Sequence, residues 1–337
     1  IVGVGWHQVP GQAHAEIIAL AQAGEQARGS TVYVTLEPCS HHGKTPPCSD
    51  ALIKAGVKNV IIAAVDPNPK VSGSGVQQLE QAGIKVFHLQ DFDQRARAIN
   101  RGYFKRFNFG KPFVRCKLAM SLDGRTAAAG GESKWITGPE ARSDVQRLRA
   151  ESCAIVTGIN TVLQDDPSLT LRAAELQLNE TEIEHNAFAL GRQPLRVVLD
   201  SSLRTPSAAR LLFAPGKVLL YSANSKSVHF PANVAVINVA PGRTGVNPGA
   251  VLESLASQYQ VNEVLLEAGP TVCGAWLAEG LVDELVIYIG ASLLGQHGLP
   301  LMYLPVINSM DEKLPLEIID LKKTGMDIRI TARPGKA

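Results

Sequence analysis

Apolar and polar positions follow two alternating rhythms along the first hundred residues. Thr31-Val32-Tyr33-Val34-Thr35-Leu36 is short and β-branched, and Val57 to Val65 is a near-continuous apolar run, so both read as buried strands. Between them, Asp50-Ala51-Leu52-Ile53-Lys54-Ala55 reads as a helix stopped by Gly56. Val76 to Gly83 repeats that ending and feeds the strand Ile84-Lys85-Val86-Phe87. Strands alternating with helices predict an α/β layered sheet. Ile1-Val2-Gly3-Val4-Gly5-Trp6 reads as an apolar, Gly-punctuated strand. It has neither an initiator Met nor the charged start of a signal peptide, so it reads as the middle of a domain with sequence upstream. Asp91 to Phe107 reads as one charged helix, and Asn108-Phe109-Gly110-Lys111-Pro112 as the boundary between two domains, 1–108 and 113–337.

A second β/α series follows that boundary. Its strand candidates are Phe113 to Ala119, Ala154 to Thr157, Leu195 to Leu199, Lys217 to Tyr221, Glu263 to Glu267 and Glu284 to Ile289. Leu316 to Leu321 and Asp327 to Thr331 read as a hairpin at the sheet edge, and residues 173–193 as a polar surface insertion. There is no internal repeat.

Composition narrows the class. At 337 residues the chain is long enough for about two domains, and 45% hydrophobic residues can fill real cores. Lys+Arg 33 against Asp+Glu 31 gives +2, too balanced for a dedicated nucleic-acid binder. No apolar run approaches the roughly 18 residues of a membrane helix. Five scattered cysteines make no disulfide framework; metal binding or chemistry in a reducing cytosol fits them better, which places the protein in the cytoplasm.

Three features of the first domain converge on a metal. His14-Ala15-Glu16 opens an Ala-rich helix, Pro38-Cys39 follows a strand end, and Cys48 lies beyond an eight-residue loop. One imidazole and two thiolates leave a zinc ion an open position, the arrangement of a catalytic site. Glu16, two residues past His14, would reach that position and shuttle protons between water and a substrate nitrogen. His-x-Glu with a later Pro-Cys is the zinc deaminase signature, although the spacing between the cysteines here is wider than Cys-x-x-Cys. Singly, each residue has an ordinary structural explanation; together, in this order, they do not. A structural zinc site closed by His41 or His42 stays open at this point.

The second half has no Gly-x-Gly-x-x-Gly and no P-loop. Val264 to Glu267 running into Ala268-Gly269-Pro270-Thr271-Val272-Cys273-Gly274 is either an anion cradle on a helix N-terminus or a simple turn capped by Thr271. Asp165-Asp166-Pro167 is either a solvated turn or one wall of a polar pocket.

The run Glu37-Pro38-Cys39-Ser40-His41-His42-Gly43-Lys44-Thr45-Pro46-Pro47-Cys48, with His14-Ala15-Glu16 before it and Asp66-Pro67-Asn68-Pro69 after it, closely resembles the bifunctional deaminase-reductase family of riboflavin biosynthesis. Lys117 to Thr126, Gly131 to Thr137, Asp165-Asp166-Pro167 and Glu267 to Thr271 resemble its reductase half, in order along essentially the whole chain. The resemblance implies a cytidine-deaminase-like α/β/α domain followed by a dihydrofolate-reductase-like domain. It also implies an N-terminal helix, a Pro-Asn-Pro loop and a first strand ahead of the segment matching Ile1, so the first domain reads as N-terminally incomplete.

By those motifs His14, Cys39 and Cys48 would bind one zinc ion and Glu16 would move the proton. Ala119, Trp135, Thr161, Asp165, Ser201, Gly269, Pro270, Thr271, Val272, Cys273, Gly274 and Ala275 would contact NADPH. Ser133, Arg149, Leu169, Arg172 and Glu267 would contact the substrate, a pyrimidine bearing ribosylamino 5′-phosphate. Arg149 and Arg172 suit a phosphate, and Glu267 suits ribose hydroxyls. No proton donor for the hydride step stands out. The family commonly associates through its reductase domain, so a homodimer is expected, with no nucleic-acid or membrane partner. The rival readings are a zinc deaminase acting on a free nucleoside or tRNA base, and a structural zinc module.

Overall fold

The computed structural model describes residues 1–337 except Lys44, Ser227, Thr244, Lys336 and Ala337, so Lys44 of the quoted loop lies outside the described residues. The chain divides into two compact units, Ile1–Phe109 and Gly110–Ala337.

In the first unit, α1 (Ala15–Ala23) leads to β1 (Thr31–Val34), α2 (Cys48–Ala55), β2 (Asn59–Ile62), α3 (Ser74–Gln81) and β3 (Lys85–His88). The strands form an all-parallel sheet in the order β1-β2-β3, with Thr31 opposite Asn59 and Asn59 opposite Lys85. Parallel neighbours need crossovers, which α2 and α3 supply. Leu52 of α2 and Leu79 of α3 are fully buried with Val60 and Ile62. Each such burial contributes about 1.5–3 kcal/mol relative to exposure. Gly56 ends α2 in the left-handed region at φ 70°, as its sequence position predicts.

Two expectations for this unit are corrected. Ile1 to Trp6 forms no strand; the segment lies along α1, where a side chain at Gly3 or Gly5 would strike the Ala19 or Ala15 carbonyl. Val4 N–H instead donates to Gln22 Oε1 at 2.7 Å. The charged helix is two helices, α4 (Gln90–Ile99) and α5 (Arg101–Phe109), broken at Asn100 (φ −112°, ψ 28°).

The second unit is built on a nine-stranded sheet. Its elements run β4 (Phe113–Ser121), β5 (Arg125–Ala127), α6 (Pro139–Glu151), β6 (Ala154–Gly158), α7 (Ile159–Asp165), α8 (Glu180–His185), α9 (Ala187–Gly191), β7 (Leu195–Leu199), α10 (Arg210–Phe213) and β8 (Val218–Ser222). They continue with β9 (Val234–Asn238), β10 (Pro241–Gly242), β11 (Gly245–Val246), α11 (Pro248–Gln258), β12 (Glu263–Leu266), α12 (Pro270–Ala278), β13 (Glu284–Gly290), β14 (Leu299–Pro300), β15 (Leu316–Thr324) and β16 (Asp327–Pro334). Sheet order is β15-β16-β13-β4-β12-β6-β7-β8-β9, parallel from β13 to β9, with β15 and β16 added antiparallel.

Burial on both faces explains the continuous apolar runs. Val197, Leu219 and Leu266 face one core, while Val198, Leu220 and Leu265 face the opposite side. The late hairpin forms as predicted, and Asp327 Oδ2 accepts the Gly138 N–H at 2.7 Å, so its turn caps α6 from outside. The surface insertion holds short helices, α8 starting on an Asn179–Glu182 capping box; from 173 to 193 only Leu176 is buried. Five strands, β5, β9, β10, β11 and β14, had no sequence expectation.

Candidate active sites

In the first unit His14 is the N-cap of α1, Cys39 lies in the loop after β1, and Cys48 is the first residue of α2. His14 Nδ1 is 3.6 Å from Cys39 Sγ and 3.3 Å from Cys48 Sγ, and all three ligand atoms lie within 4.8 Å of one another. Zinc bonds of about 2.3 Å to sulfur and 2.0–2.1 Å to nitrogen at tetrahedral angles place such atoms about 3.5 Å apart. The residues therefore fit zinc. Among the described residues neither His41 nor His42 joins the cluster, so the donor set has three members.

Local chemistry favours thiolate. The Cys48 N–H donates to Cys39 Sγ at 3.3 Å, and hydrogen bonding from the Cys48 thiol holds Cys39 near 5, well below an ordinary thiol. Cys48, as the proton-bearing partner, is pushed far up. A bound cation replaces that shared proton. His14 Nε2 lies 3.4 Å from Thr45 Oγ1, which orients the ring with Nδ1 toward the sulfurs. Burial raises the Glu16 carboxyl above its ordinary range, with the Cys39 charge adding to it, while contact with the Cys48 thiol works in the opposite sense. A cavity of about 260 Å³ opens here, lined by His7, His14, Cys39, His41 and Thr45. His41 Nδ1 is buried without a hydrogen-bond partner. The His7 ring meets His14 edge-on at 5.2 Å. Sequence reasoning missed His7, because nothing in Trp6-His7-Gln8 marks it. Asp66, also pushed up by burial and by the Glu37 and Cys39 charges, accepts from Asn68 N–H at 2.8 Å and Tyr103 O–H at 2.9 Å.

In the second unit, the expected contacts gather at the carboxyl ends of the parallel strands, where open α/β sheets bind ligands. Ala119 lies near the end of β4, Thr161 and Asp165 on α7 after β6, Ser201 after β7, and Glu267 and Gly269 after β12. A side chain at Gly269 would sit 3.9 Å from Thr161 Oγ1, and one at Gly245 would strike Ser201 Oγ. Gly269 is the N-cap of α12 with Pro270 next, and no side chain caps it, so Thr271 is not the cap that the simple-turn reading requires. Cys273 and Gly274 turn toward the core; the Cys273 thiol donates to Ala268 O at 3.2 Å, and Gly274 packs under the Tyr303 backbone.

Trp135 is exposed, with the Arg142 guanidinium 4.6 Å from its ring centroid, and Lys134 Nζ reaches Asp165 at 3.6 Å. Ser133 is half-buried beside them. Leu169 is buried at φ 50°. Arg172 pairs with Glu175 on the surface. Arg149, expected to suit a phosphate, is engaged within the chain. Its Nε and Nη2 bond Glu267 at 2.7 and 2.9 Å, and Nη1 donates to Thr170 O at 2.9 Å. Beside that pair stands Lys117, brought there because Leu266 pairs with Cys116. Burial pulls its ammonium pKa down, against the opposing pull of Glu267. Sequence reasoning passed over Lys117, which alternates within β4 like any polar strand residue.

Residues 112–328 match the family model of the RibD C-terminal domain, and residues 1–64 match the cytidine and deoxycytidylate deaminase zinc-binding region. The chain is 45% identical over 328 residues to the riboflavin biosynthesis protein RibD of Escherichia coli, covering 97% of this chain and 88% of that one. Among solved structures it is similar to Acinetobacter baumannii RibD, with TM-score 0.88 and 42% identity over 99% of this chain and 89% of that one. It is also similar to a diaminohydroxyphosphoribosylaminopyrimidine deaminase/5-amino-6-(5-phosphoribosylamino)uracil reductase from Thermotoga maritima, with TM-score 0.83 and 29% identity over 99% and 89% of the two chains.

Proposed function

This chain belongs to the RibD family of riboflavin-biosynthesis deaminase-reductases, and we propose that residues 1–108 carry the deaminase step and residues 113–337 the reductase step. The observation that carries this reading is the three-donor cluster of His14, Cys39 and Cys48, with the half-buried Glu16 on the first turn of the helix that His14 caps.

The substrate of the first step is 2,5-diamino-6-(ribosylamino)pyrimidinone 5′-phosphate. His14, Cys39 and Cys48 would hold a zinc ion, whose Lewis acidity would make water a nucleophile near neutral pH. Glu16 takes a proton from the attacking water and returns it to the departing amino nitrogen, a task suited to a carboxyl raised toward the working pH. Thr45 keeps His14 in its binding tautomer.

In the second step the ribosyl group becomes ribityl, with NADPH as the hydride source. The helix start at Gly269 to Val272, with Thr161, Asp165, Trp135, Ala119 and Ser201, forms the cofactor side. Glu267, held by Arg149, takes sugar hydroxyls, while Ser133, Leu169 and Arg172 complete the substrate side, and Lys117 faces the same place with a softened cation. The work of these residues is positioning and charge placement.

Self-association as a homodimer through the reductase unit follows the same reading. It is supported by the edge strand β15, which leaves Ile318 at 60% and Leu321 at 63% exposed. All five cysteines are free, which accords with a cytoplasmic setting, and no helix among the described residues is long and apolar enough to cross a membrane. The test is a mass balance on the purified chain with the diaminopyrimidine phosphate, with and without NADPH. Ammonia release reports the first unit and NADPH oxidation the second; activity on cytidine alone would overturn the assignment.

A further inference from the structure

We propose that Glu37 is a positioning residue of the deaminase step, a buried clamp that fixes Cys39 and the Asp66 loop in one geometry. The inference rests on the deaminase reading above. Glu37 stands two residues before Cys39 and is 3% exposed, a position where a carboxylate survives only if fully hydrogen-bonded. Each of its oxygens accepts two main-chain N–H groups from distant sequence. Oε2 takes Asp66 at 3.2 Å and Gly73 at 3.0 Å; Oε1 takes Gly75 at 3.0 Å and Val76 at 3.2 Å.

These four donors say what the carboxylate is for. The N-cap of α3 is Gly73, which is at φ 79° and has no side chain to cap the helix. Glu37 supplies that cap from another element, adding charge where the helix dipole favours it. With the same carboxylate it holds the start of the Asp66-Pro67-Asn68-Pro69 loop. The junction is tight: a side chain at Gly75 would lie 2.0 Å from the Pro38 carbonyl oxygen. Further ties converge on the same point. Ser40 Oγ meets Ser74 Oγ at 2.6 Å, and Ser49 Oγ lies 3.0 Å from Cys39 O and 2.6 Å from Gln78 Oε1, its one proton serving either acceptor. The Cys39 main chain is thus set between Glu37 and Ser49, both anchored on α3. This backbone sets where the Cys39 sulfur starts from, and the Cys48 N–H at 3.3 Å is its own further tie.

Glu37→Gln keeps one acceptor oxygen and turns an amide N–H₂ toward the other two N–H donors. Gly75→Ala perturbs the same junction without touching a charge, by driving α3 off Pro38. Both are made in the full chain and loaded with zinc or cobalt(II). Circular dichroism establishes that the variant chain is folded and fixes a temperature below unfolding, while reductase kcat/KM reports that the second unit is untouched. The expected result in both is zinc release to a chelator about 10–100-fold faster than in the parent, the range found when groups behind metal ligands are lost. The cobalt–thiolate absorption is expected to shift, and deaminase kcat per bound zinc to fall by a similar factor. Parent release rates and cobalt spectra in folded variants, with only a lower unfolding temperature, would overturn the proposal. If Glu37→Gln does not fold, Gly75→Ala decides alone by the same readouts. A parent chain that binds zinc but releases no ammonia would instead sink the deaminase reading.

Discussion

Arg149 and Glu267, 118 positions apart, meet as a two-pronged ion pair, Nε to Oε1 at 2.7 Å and Nη2 to Oε2 at 2.9 Å. Both side chains are nearly buried. Burial alone would raise the Glu267 carboxyl, yet the Arg149 charge and hydrogen bonds hold it below its usual range. Removing one partner strands the other in a dry site. Glu267→Ala is therefore expected to destabilise the reductase unit by about 3–5 kcal/mol, whereas Arg149→Met with Glu267→Leu recovers most of that loss. Both variants are expected to lose reductase activity. Denaturant unfolding checks this, and equal stability of the single and double variants would refute it.

Glu16→Gln keeps the shape of the carboxyl and removes its proton traffic. Deaminase kcat is expected to fall by about 10²–10⁴-fold. Zinc content, and NADPH oxidation when the deaminated pyrimidine is supplied directly, should stay at the parent level, because Glu16 is not a ligand. Chelation, by contrast, should abolish ammonia release and spare the reductase. Ammonia and metal assays on one preparation separate the two results.

What could be read from the sequence was what short-range pattern encodes. Gly56 stopping α2 and the apolar runs of β6 and β7 follow from local geometry and burial. Ile1 to Trp6 has the composition of a strand, but its backbone lies on α1 because Gly3 and Gly5 let helix carbonyls approach, a contact no local pattern contains. Asn100 breaks a helix with no Pro beside it, and Gly102 sits inside the following helix rather than at the break. The metal trio was legible because its residue types are rare in combination. The Arg149–Glu267 bond and the four N–H groups on Glu37 join residues 29 to 118 apart, and only the fold brings them together.

Because Arg149 is committed to Glu267, the proposed phosphate contact is expected to fall mainly to Arg172, whose Glu175 partner is solvent-exposed and exchangeable. Arg172→Ala is expected to raise the reductase KM for the phosphorylated pyrimidine roughly tenfold, the scale of one charge-assisted contact, with a smaller change in kcat. The KM for a dephosphorylated analogue should barely move. Steady-state kinetics on the two compounds check this, and an equal rise for both would remove Arg172 from the phosphate.

Arg115 is buried and shared by Glu284 at 2.9 Å, Glu151 at 2.8 Å and Glu263 at 3.7 Å, so three carboxylates lean on one cation. Glu263 fares worst: burial pushes it up to about 7, against the pull of Arg115, and the Glu151 and Glu284 charges add to the rise. An acid raised on folding holds its proton longer in the native state than in the unfolded chain. Between about pH 4.5 and 7 the native state then binds more protons, and stability falls as pH rises through that window. Above pH 7 the full cost of the buried charge remains, on the order of 3 kcal/mol from the size of the shift. Glu263→Gln carries no such charge, so it is expected to be the more stable protein at pH 8 and to lose that advantage toward pH 4.5. Denaturant unfolding of parent and variant across this range measures the difference directly. A gap that stays constant with pH would mean that Glu263 does not titrate differently in the folded chain.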